Sequence, residues 1–330
     1  MKFNYVIGMD MSKEYFDLQV HNFDFAQRFE NTPKGIRRML KTLKRLLNCD
    51  LALCLFCFEH TGLYSWQMIT ELETQTLKYC VIPGLELKKS SGITRGKSDP
   101  IDARRIAEYG YQRQEKLKLS TMPSNSILKL KQLLSMRSMH VRHRASYIRR
   151  MNEQFRILKK TEYPEIYHSQ KRMIKQCDKE IGKIEEAIER LVNEEVTIKR
   201  IYNLLHSIKG VGKIVALQMI VKTNGFVSFT EWRKFACYCG TAPFPNQSGK
   251  QINGRRISKL GDGEMKSLLT LAARTMMQHD SEIRLYVERK LAEGKTKKNV
   301  TNSVRNKLLS RMFAVVKRGT PYVPMNNYAC

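Results

Sequence analysis

LALCLFCFE, residues 51–59, is a run of eight apolar residues closed by an acid. An apolar run this short, with no alternation, reads as a strand buried on both faces, in the middle of a sheet that carries helices above and below it. The flanking sequence fits that placement. Tyr5–Asp10 (YVIGMD) reads as a strand and Phe16–Val20 as a second, joined by the polar stretch Ser12–Glu14. Lys34–Leu47 is amphipathic at helical spacing, with Ile36, Met39, Leu40, Leu43, Leu46 and Leu47 on one face. Leu63–Leu72 reads as a helix, and Tyr79–Ile82 as a short strand closed by Pro83 and Gly84. This succession predicts an α/β layer over about residues 1–115 whose sheet has a mostly parallel portion.

Past residue 120 the strand signal fades. Ile181, Ile184, Ile188 and Leu191 recur at three- and four-residue spacing, and Leu130, Leu134, Val141, Ile148 and Phe155 do so less regularly. Both series predict long helices, paired as an antiparallel coiled coil and broken near Pro164. The first of them is dense in cations: Arg137, Arg142, Arg144, Arg149 and Arg150. A solvated face is the ordinary explanation of such a run, but the few acids nearby favour contact with phosphate. From residue 201 onward the chain reads as helical and punctuated by glycine. Ser207–Gly212 (SIKGVG) precedes an apolar helix, Ile214–Val221; it is either an anion-binding helix start or a turn between packed helices. The KTKK run at 295–298 reads as a solvated basic segment. The expected divisions are 1–118, 119–204 and 205–330.

Charge narrows the function. Lys and Arg number 59 against 31 Asp and Glu, a formal net charge of +28, and 42% of residues are hydrophobic. The chain can therefore build a core, and its charge calls for a polyanionic partner, because neutralising phosphates releases condensed counterions. No apolar run approaches the ~20 residues of a bilayer span, and the start of the chain does not read as a signal peptide. The expectation is a cytoplasmic protein that meets nucleic acid and no membrane. Eight cysteines, in a chain without a secretory signal, do not suggest a disulfide framework. Cys54 and Cys57 lie three apart in a strand, so they face opposite sides and read as buried small hydrophobes rather than as a zinc pair.

Four acids occupy the ends of elements. Asp10 ends the first strand and Glu59 the most hydrophobic one. Asp99 and Asp102, in KSDPIDARRIAEY, are three apart around a proline suited to the first turn of a helix, so they share a helix face. If the first strand neighbours the one that carries Glu59, the two carboxylates emerge at one sheet edge, where α/β sheets bind ligands. Each acid has an ordinary structural explanation as a cap, a dipole partner or a loop acid. Taken together, in so basic a chain, they favour a metal site. Oxygen-only ligands select a hard ion, Mg²⁺ or Mn²⁺, able to activate a nucleophile and stabilise a leaving oxygen at phosphorus.

These segments resemble a known family. GMDMSK, FEHTGLY and KSDPIDARRIAEY are similar to the RuvC-like DEDD domain of the IS110 family of insertion-sequence transposases. SIKGVGKIVALQMI, FACYCGTAPFPNQSGK and GRRISKLGDGEMKSLLTLAA resemble that family's C-terminal transposase domain, in the same order. The resemblance covers about 5–115 and 205–280. It implies an RNase H-like fold for the first domain, a coiled-coil spacer and a mainly helical C-terminal domain. It places the DEDD acids on Asp10, Glu59, Asp99 and Asp102 and a nucleophilic serine on Ser248. It further implies a homo-oligomer, dimers assembling to a tetramer, in which the acids of one subunit meet the serine of another. The partners implied are target and donor DNA and a guide RNA encoded by the element, at the nucleoid of a prokaryote. One departure is Glu264, where the family usually has a basic or polar residue.

The residues themselves are compatible with that role. Ser248 reads as part of a polar loop bounded by Pro245 and Gly249 and flanked by Lys250, Arg255 and Arg256, cations suited to a scissile phosphate. A serine hydroxyl is a poor nucleophile without activation. His206 and His279 are far away in sequence, so activation would fall to the metal. A site-specific DNA invertase of the same architecture, a metal-dependent junction nuclease and a non-catalytic basic binder are the alternatives. The serine motif argues against the nuclease, and the four acids argue against the binder.

Overall fold

The structure is a computed structural model that describes residues 3–59, 62–90, 99–248, 251–258 and 260–324. Its chain divides into two compact units, 1–122 and 123–330. The first is built on a five-stranded sheet of order β3-β2-β1-β4-β5, with β1 Tyr5–Met11, β2 Tyr15–Val20, β3 Ala26–Glu30, β4 Cys54–Glu59 and β5 Lys78–Ile82. Strands β1, β2 and β3 form an antiparallel meander, while β1, β4 and β5 run parallel. The central strand is thus β1, and the apolar run of residues 51–58 supplies its parallel neighbour. That strand is shorter than the run, because Asp50 accepts from the Ala52 amide and turns Leu51–Leu53 into a 3-10 turn. Residues 62–74 divide in the same way, into a 3-10 turn Gly62–Ser65 and a helix α2, Trp66–Thr74. Strand β3 has no counterpart in the sequence reading, since of its five residues only Phe29 is buried.

Both faces of the sheet are covered, as the lack of alternation in β4 requires. On one face lies α1, Pro33–Leu47, started by Thr32, whose side chain accepts from the Gly35 amide, and by Pro33 in the first turn. Its Ile36, Met39, Leu40 and Leu43 pack with Ile7, Met9, Phe56 and Phe58. On the other face lies α4, Asp99–Arg113, whose Ile106 and Tyr109 join Val6, Leu55 and Cys57, and Leu87 of α3 (Gly84–Ser90) lies in the same cluster. Cys54 and Cys57 accordingly fall in different cores.

The approach of α4 depends on two glycines. A Cβ on Gly8 would lie 2.2 Å from the Ala103 carbonyl oxygen and 2.3 Å from the Ala107 nitrogen. On the helix, a Cβ on Gly110 would lie 2.7 Å from Cys57 Sγ and 2.8 Å from Val6 Cγ1. The Gly8 obstacles are backbone atoms, so Gly8→Ala has to lift the helix. The expected cost is about 3 kcal/mol, at the upper end for overpacking, read as a lower urea midpoint with early hydrogen exchange in α4. An unchanged midpoint with α4 still protected would show that the helix does not sit on that strand.

The second unit is mainly helical. Helices α5 (Asn125–Gln154) and α6 (Pro164–Glu194) pack along one another, and Pro164 opens the second, as its ring requires. Two of the five arginines read as phosphate contacts join these helices instead: Arg137 meets Glu185 and Arg144 meets Asp178, each at 2.6 Å. Then follow α7 Val196–His206, α8 Lys213–Thr223, α9 Trp232–Tyr238, strands β6 Pro243–Ser248 and β7 Gln251–Ile257, α10 Gly263–His279, α11 Ser281–Ala292 and α12 Lys297–Arg318. Leu130, Leu134, Ile188 and Leu191 share one core with Leu217, Leu269, Leu308 and Met312, so the long helices are rooted in the C-terminal core. Gly210, at φ +89°, lies where a Cβ would be 2.7 Å from the Ala272 carbonyl. SIKGVG is therefore a turn pressed against α10, the second of its two sequence readings.

Candidate active site

The parallel register brings two of the four acids level. Gly8 pairs with Cys57 and Met9 with Phe58, and the next residues along are Asp10 and Glu59. Alternation along a strand puts Asp10 on the face of Val6 and Gly8, and Glu59 on the face of Leu55 and Cys57. That is the face covered by α4. The helix runs over it with Gly110 at Val6 and Ala107 and Ala103 at Gly8. Its first turn, residues 99–102, therefore lies toward the carboxyl ends of β1 and β4, the edge that bears Asp10 and Glu59. Sheet register and one close helix contact bring the backbones of all four acids to one edge.

The side chains add detail. Glu59 Oε1 occupies the space that a Cβ on Gly84 would fill, 2.0 Å from that point, so the first residue of α3 has to be small for this carboxylate to lie there. Asp102 accepts a 2.8 Å hydrogen bond from Arg105 Nη1, one turn on, with both side chains about a quarter exposed. Asp99 is the first residue of α4. Among the described residues, no three His, Cys, Asp or Glu side chains are gathered closely enough to hold a metal ion. The backbone of the site is thus assembled, while Asp102 is engaged by Arg105.

A fifth acid, absent from the sequence reading, lies in the same row. Asp17 of β2 is directly opposite Asp10, and Arg28 of β3 is directly opposite Asp17. Residues opposed in this way share a face. Asp17 is 8% exposed and accepts three hydrogen bonds from Arg28, at 2.8, 3.2 and 3.2 Å. The signal in the sequence was an acid inside YFDLQV, at a position that alternation turns toward the covered face.

Ser248 is not in an open loop. It is the last residue of β6 and pairs with Gln251 across a hairpin, and residues 249–250, Lys250 among them, lie outside the described residues. Arg255 is opposite Pro245 and Arg256 opposite Phe244, so the two lie along the ribbon rather than level with the serine. Glu264, the departure from the family pattern, meets Lys222 at 3.7 Å beside Asp262, which caps α10 and meets the same lysine at 2.7 Å. His206 and His279 are exposed.

Comparison with known proteins agrees in both units. A DEDD-type transposase family model of the IS110 class matches residues 7–159, and a model described as the transposase IS116/IS110/IS902 family matches 202–288. The pilin gene-inverting proteins of Moraxella bovis and Moraxella lacunata are each 27% identical over 324 residues, which is 96% of this chain and 97% of theirs. An insertion element IS110 protein of Streptomyces coelicolor is 29% identical over 136 residues, 41% of this chain and 34% of its own. A mixed α/β DEDD domain joined to a helical transposase domain defines a DNA transposase-recombinase. The chain belongs to the IS110 family of transposases. Membership carries with it DNA as substrate, and the DEDD-type domain suggests dependence on a divalent metal. Among the described residues no helix is long and apolar enough to cross a membrane.

Proposed function

We propose that this chain is an RNA-guided recombinase of a mobile element, which cuts and rejoins DNA through a DEDD site and a serine-linked intermediate. The observation that carries the reading is the meeting of Asp10, Glu59 and the first turn of α4 at one sheet edge. An antiparallel meander continued by parallel strands supports an RNase H-like assignment for residues 1–118. Residues 119–204 then act as a coiled-coil spacer and 205–330 as the serine domain, in dimers that assemble to a tetramer at the nucleoid.

Asp10, Glu59, Asp99 and Asp102 offer oxygen donors only, a set that fits Mg²⁺ or Mn²⁺. When bound there, such an ion supplies charge neutralisation at phosphorus and a lowered pKa for a hydroxyl. Asp102 can offer Oδ2 to the set while Oδ1 keeps its bond from Arg105, which holds a guanidinium at the edge where phosphate arrives. Ser248 Oγ loses its proton and forms a bond to phosphorus while the bond to one DNA oxygen breaks. That oxygen takes up a proton and leaves. Attack by the hydroxyl of a second DNA end reverses the step and restores the serine. Similarity to gene-inverting proteins over nearly the full chain keeps inversion of a flanked segment as the second reading.

The guide is tested by competition. The purified chain is expected to carry RNA, held by its +28 charge and released steeply with salt. Non-coding RNA transcribed from beside the gene should displace an unrelated structured RNA at matched length. Equal affinity for the two removes RNA guidance and leaves recombination standing.

A further inference from the structure

An open cleft of about 1000 Å³ lies in the second unit, between α10 and the start of α12, with Ile257 at the base of the hairpin forming part of its wall. Among the described residues, four cations line it, Arg274 from α10 and Lys297, Lys298 and Arg305 from α12, and no acid does. Two of these, Lys297 and Lys298, belong to the KTKK run whose sequence suggested only a solvated segment. Thr270, Thr301 and Asn299 add neutral hydrogen-bonding groups.

Among the described residues, no ion pair joins any of these four cations to an acid. Arg305 donates from Nη1 to Asn302, but its Nε is buried without a partner among the described residues. Its guanidinium is held below the usual arginine range, by burial first and then by the charge of Arg274. Two guanidiniums that repel each other across a cleft, one with a buried donor unused, are costly in the free protein. An anion with several oxygen acceptors relieves both terms, which is the geometry that arginine serves on phosphate.

We propose that this cleft binds the phosphodiester backbone of a nucleic acid strand and fixes that strand beside the hairpin that carries Ser248. The proposal rests on the reading of the chain as a strand-transfer enzyme. Ile257 pairs with Pro243, five residues along β6 from Ser248. At about 3.4 Å per residue the cleft is roughly 17 Å from the serine. Phosphates on one strand of B-DNA advance about 3.4 Å each along the axis, so the gripped phosphate is about five steps from the reacting one. The cleft therefore sets position and affinity rather than the chemical step.

The test uses the full chain, R274Q/R305Q and K297Q/K298Q, with K175Q/K179Q on the exposed face of α6 as a variant of equal charge change. The probes are a random-sequence DNA duplex and an unrelated stem-loop RNA, titrated over a range of salt. Each cleft variant is expected to lose roughly tenfold to a hundredfold in affinity, and to reduce the magnitude of the duplex salt slope by about two. Loss on the duplex assigns the gripped strand to DNA, and loss on the stem-loop alone assigns it to RNA. Without nucleic acid, R274Q/R305Q should melt at or above the wild-type temperature, since a repulsion has been removed; a lower melting temperature would make the arginines structural and overturn the site. An equal loss in K175Q/K179Q would also overturn it, leaving generic basicity. A wild-type chain that binds neither probe would sink the strand-transfer reading itself.

Discussion

Asp10→Asn is expected to lower DNA strand cleavage by roughly a thousandfold or more, while the protein stays folded and still binds nucleic acid. The size follows from the several kcal/mol that a metal-held reacting centre contributes to the barrier, at about 1.4 kcal/mol for each factor of ten. The substitution keeps the shape while it removes the charge and replaces one acceptor oxygen with an NH2 donor. Because Asp10 is at the partly exposed end of β1 rather than in the core, the stability change should stay near 1 kcal/mol or below. Asp102→Asn should behave alike, for it gives up one ion pair with Arg105 outside the core. Asp17→Asn serves as contrast on the same sheet face. It gives up charge-assisted bonds from Arg28, a half-exposed partner, so its effect on stability is modest and its effect on cleavage smaller than that of Asp10. Cleavage assayed over a range of Mg²⁺ or Mn²⁺, beside a urea melt and a binding curve, separates these outcomes. Normal cleavage by Asp10→Asn would remove the carboxylate site from the reaction.

What the sequence disclosed, and what it hid, divides along physical lines. Helix α1 was legible because burial of one face imposes a period on it, strands β1 and β5 because burial on both faces makes them short apolar runs, and the start of α6 because proline permits little else. Strand β3 is an edge strand, polar but for Phe29, and leaves no period to read. The β6–β7 hairpin hid for another reason. PFPNQS contains two prolines, which argue against a strand unless it is at an edge, and a two-stranded ribbon consists of edges alone. Asp10 and Glu59 were recognisable as strand ends, but their common level depends on register, and the arrival of α4 depends on the space left by Gly8. Asp17 stands out as an acid inside YFDLQV, but its ion pair is hidden, since Arg28 lies in β3. Arg137 and Arg144 looked like phosphate ligands because the acids that meet them are on the other helix of the pair. The cleft of Arg274 and Arg305 exists only once α10 and α12 are packed.

Ser248→Ala is expected to abolish recombinant product and every covalent protein–DNA adduct, with DNA and RNA binding within about twofold of wild type, as expected for a substitution that removes one uncharged hydroxyl and no phosphate-binding cation. The residue ends β6 and takes part in the hairpin through its backbone pairing with Gln251, which alanine preserves. With that pairing kept and one hydroxyl lost, the variant should melt with the wild type to within about 0.5 kcal/mol. The covalent step matters because strand exchange has to keep the energy of the broken phosphodiester. A serine–phosphate ester conserves it, whereas hydrolysis discards it. With the carboxylates intact, slow cleavage by water can persist in Ser248→Ala, giving free ends that do not rejoin. In Asp10→Asn, adduct and free ends should vanish together. That pattern distinguishes a serine nucleophile from a serine that only steadies the DNA, for which adduct and product would fall in parallel and not to zero. A nicked substrate traps the adduct, denaturing electrophoresis displays it, and peptide mapping places it on the chain. An adduct on any other residue, or full recombination by the alanine variant, would leave Ser248 as the end of a strand and nothing more.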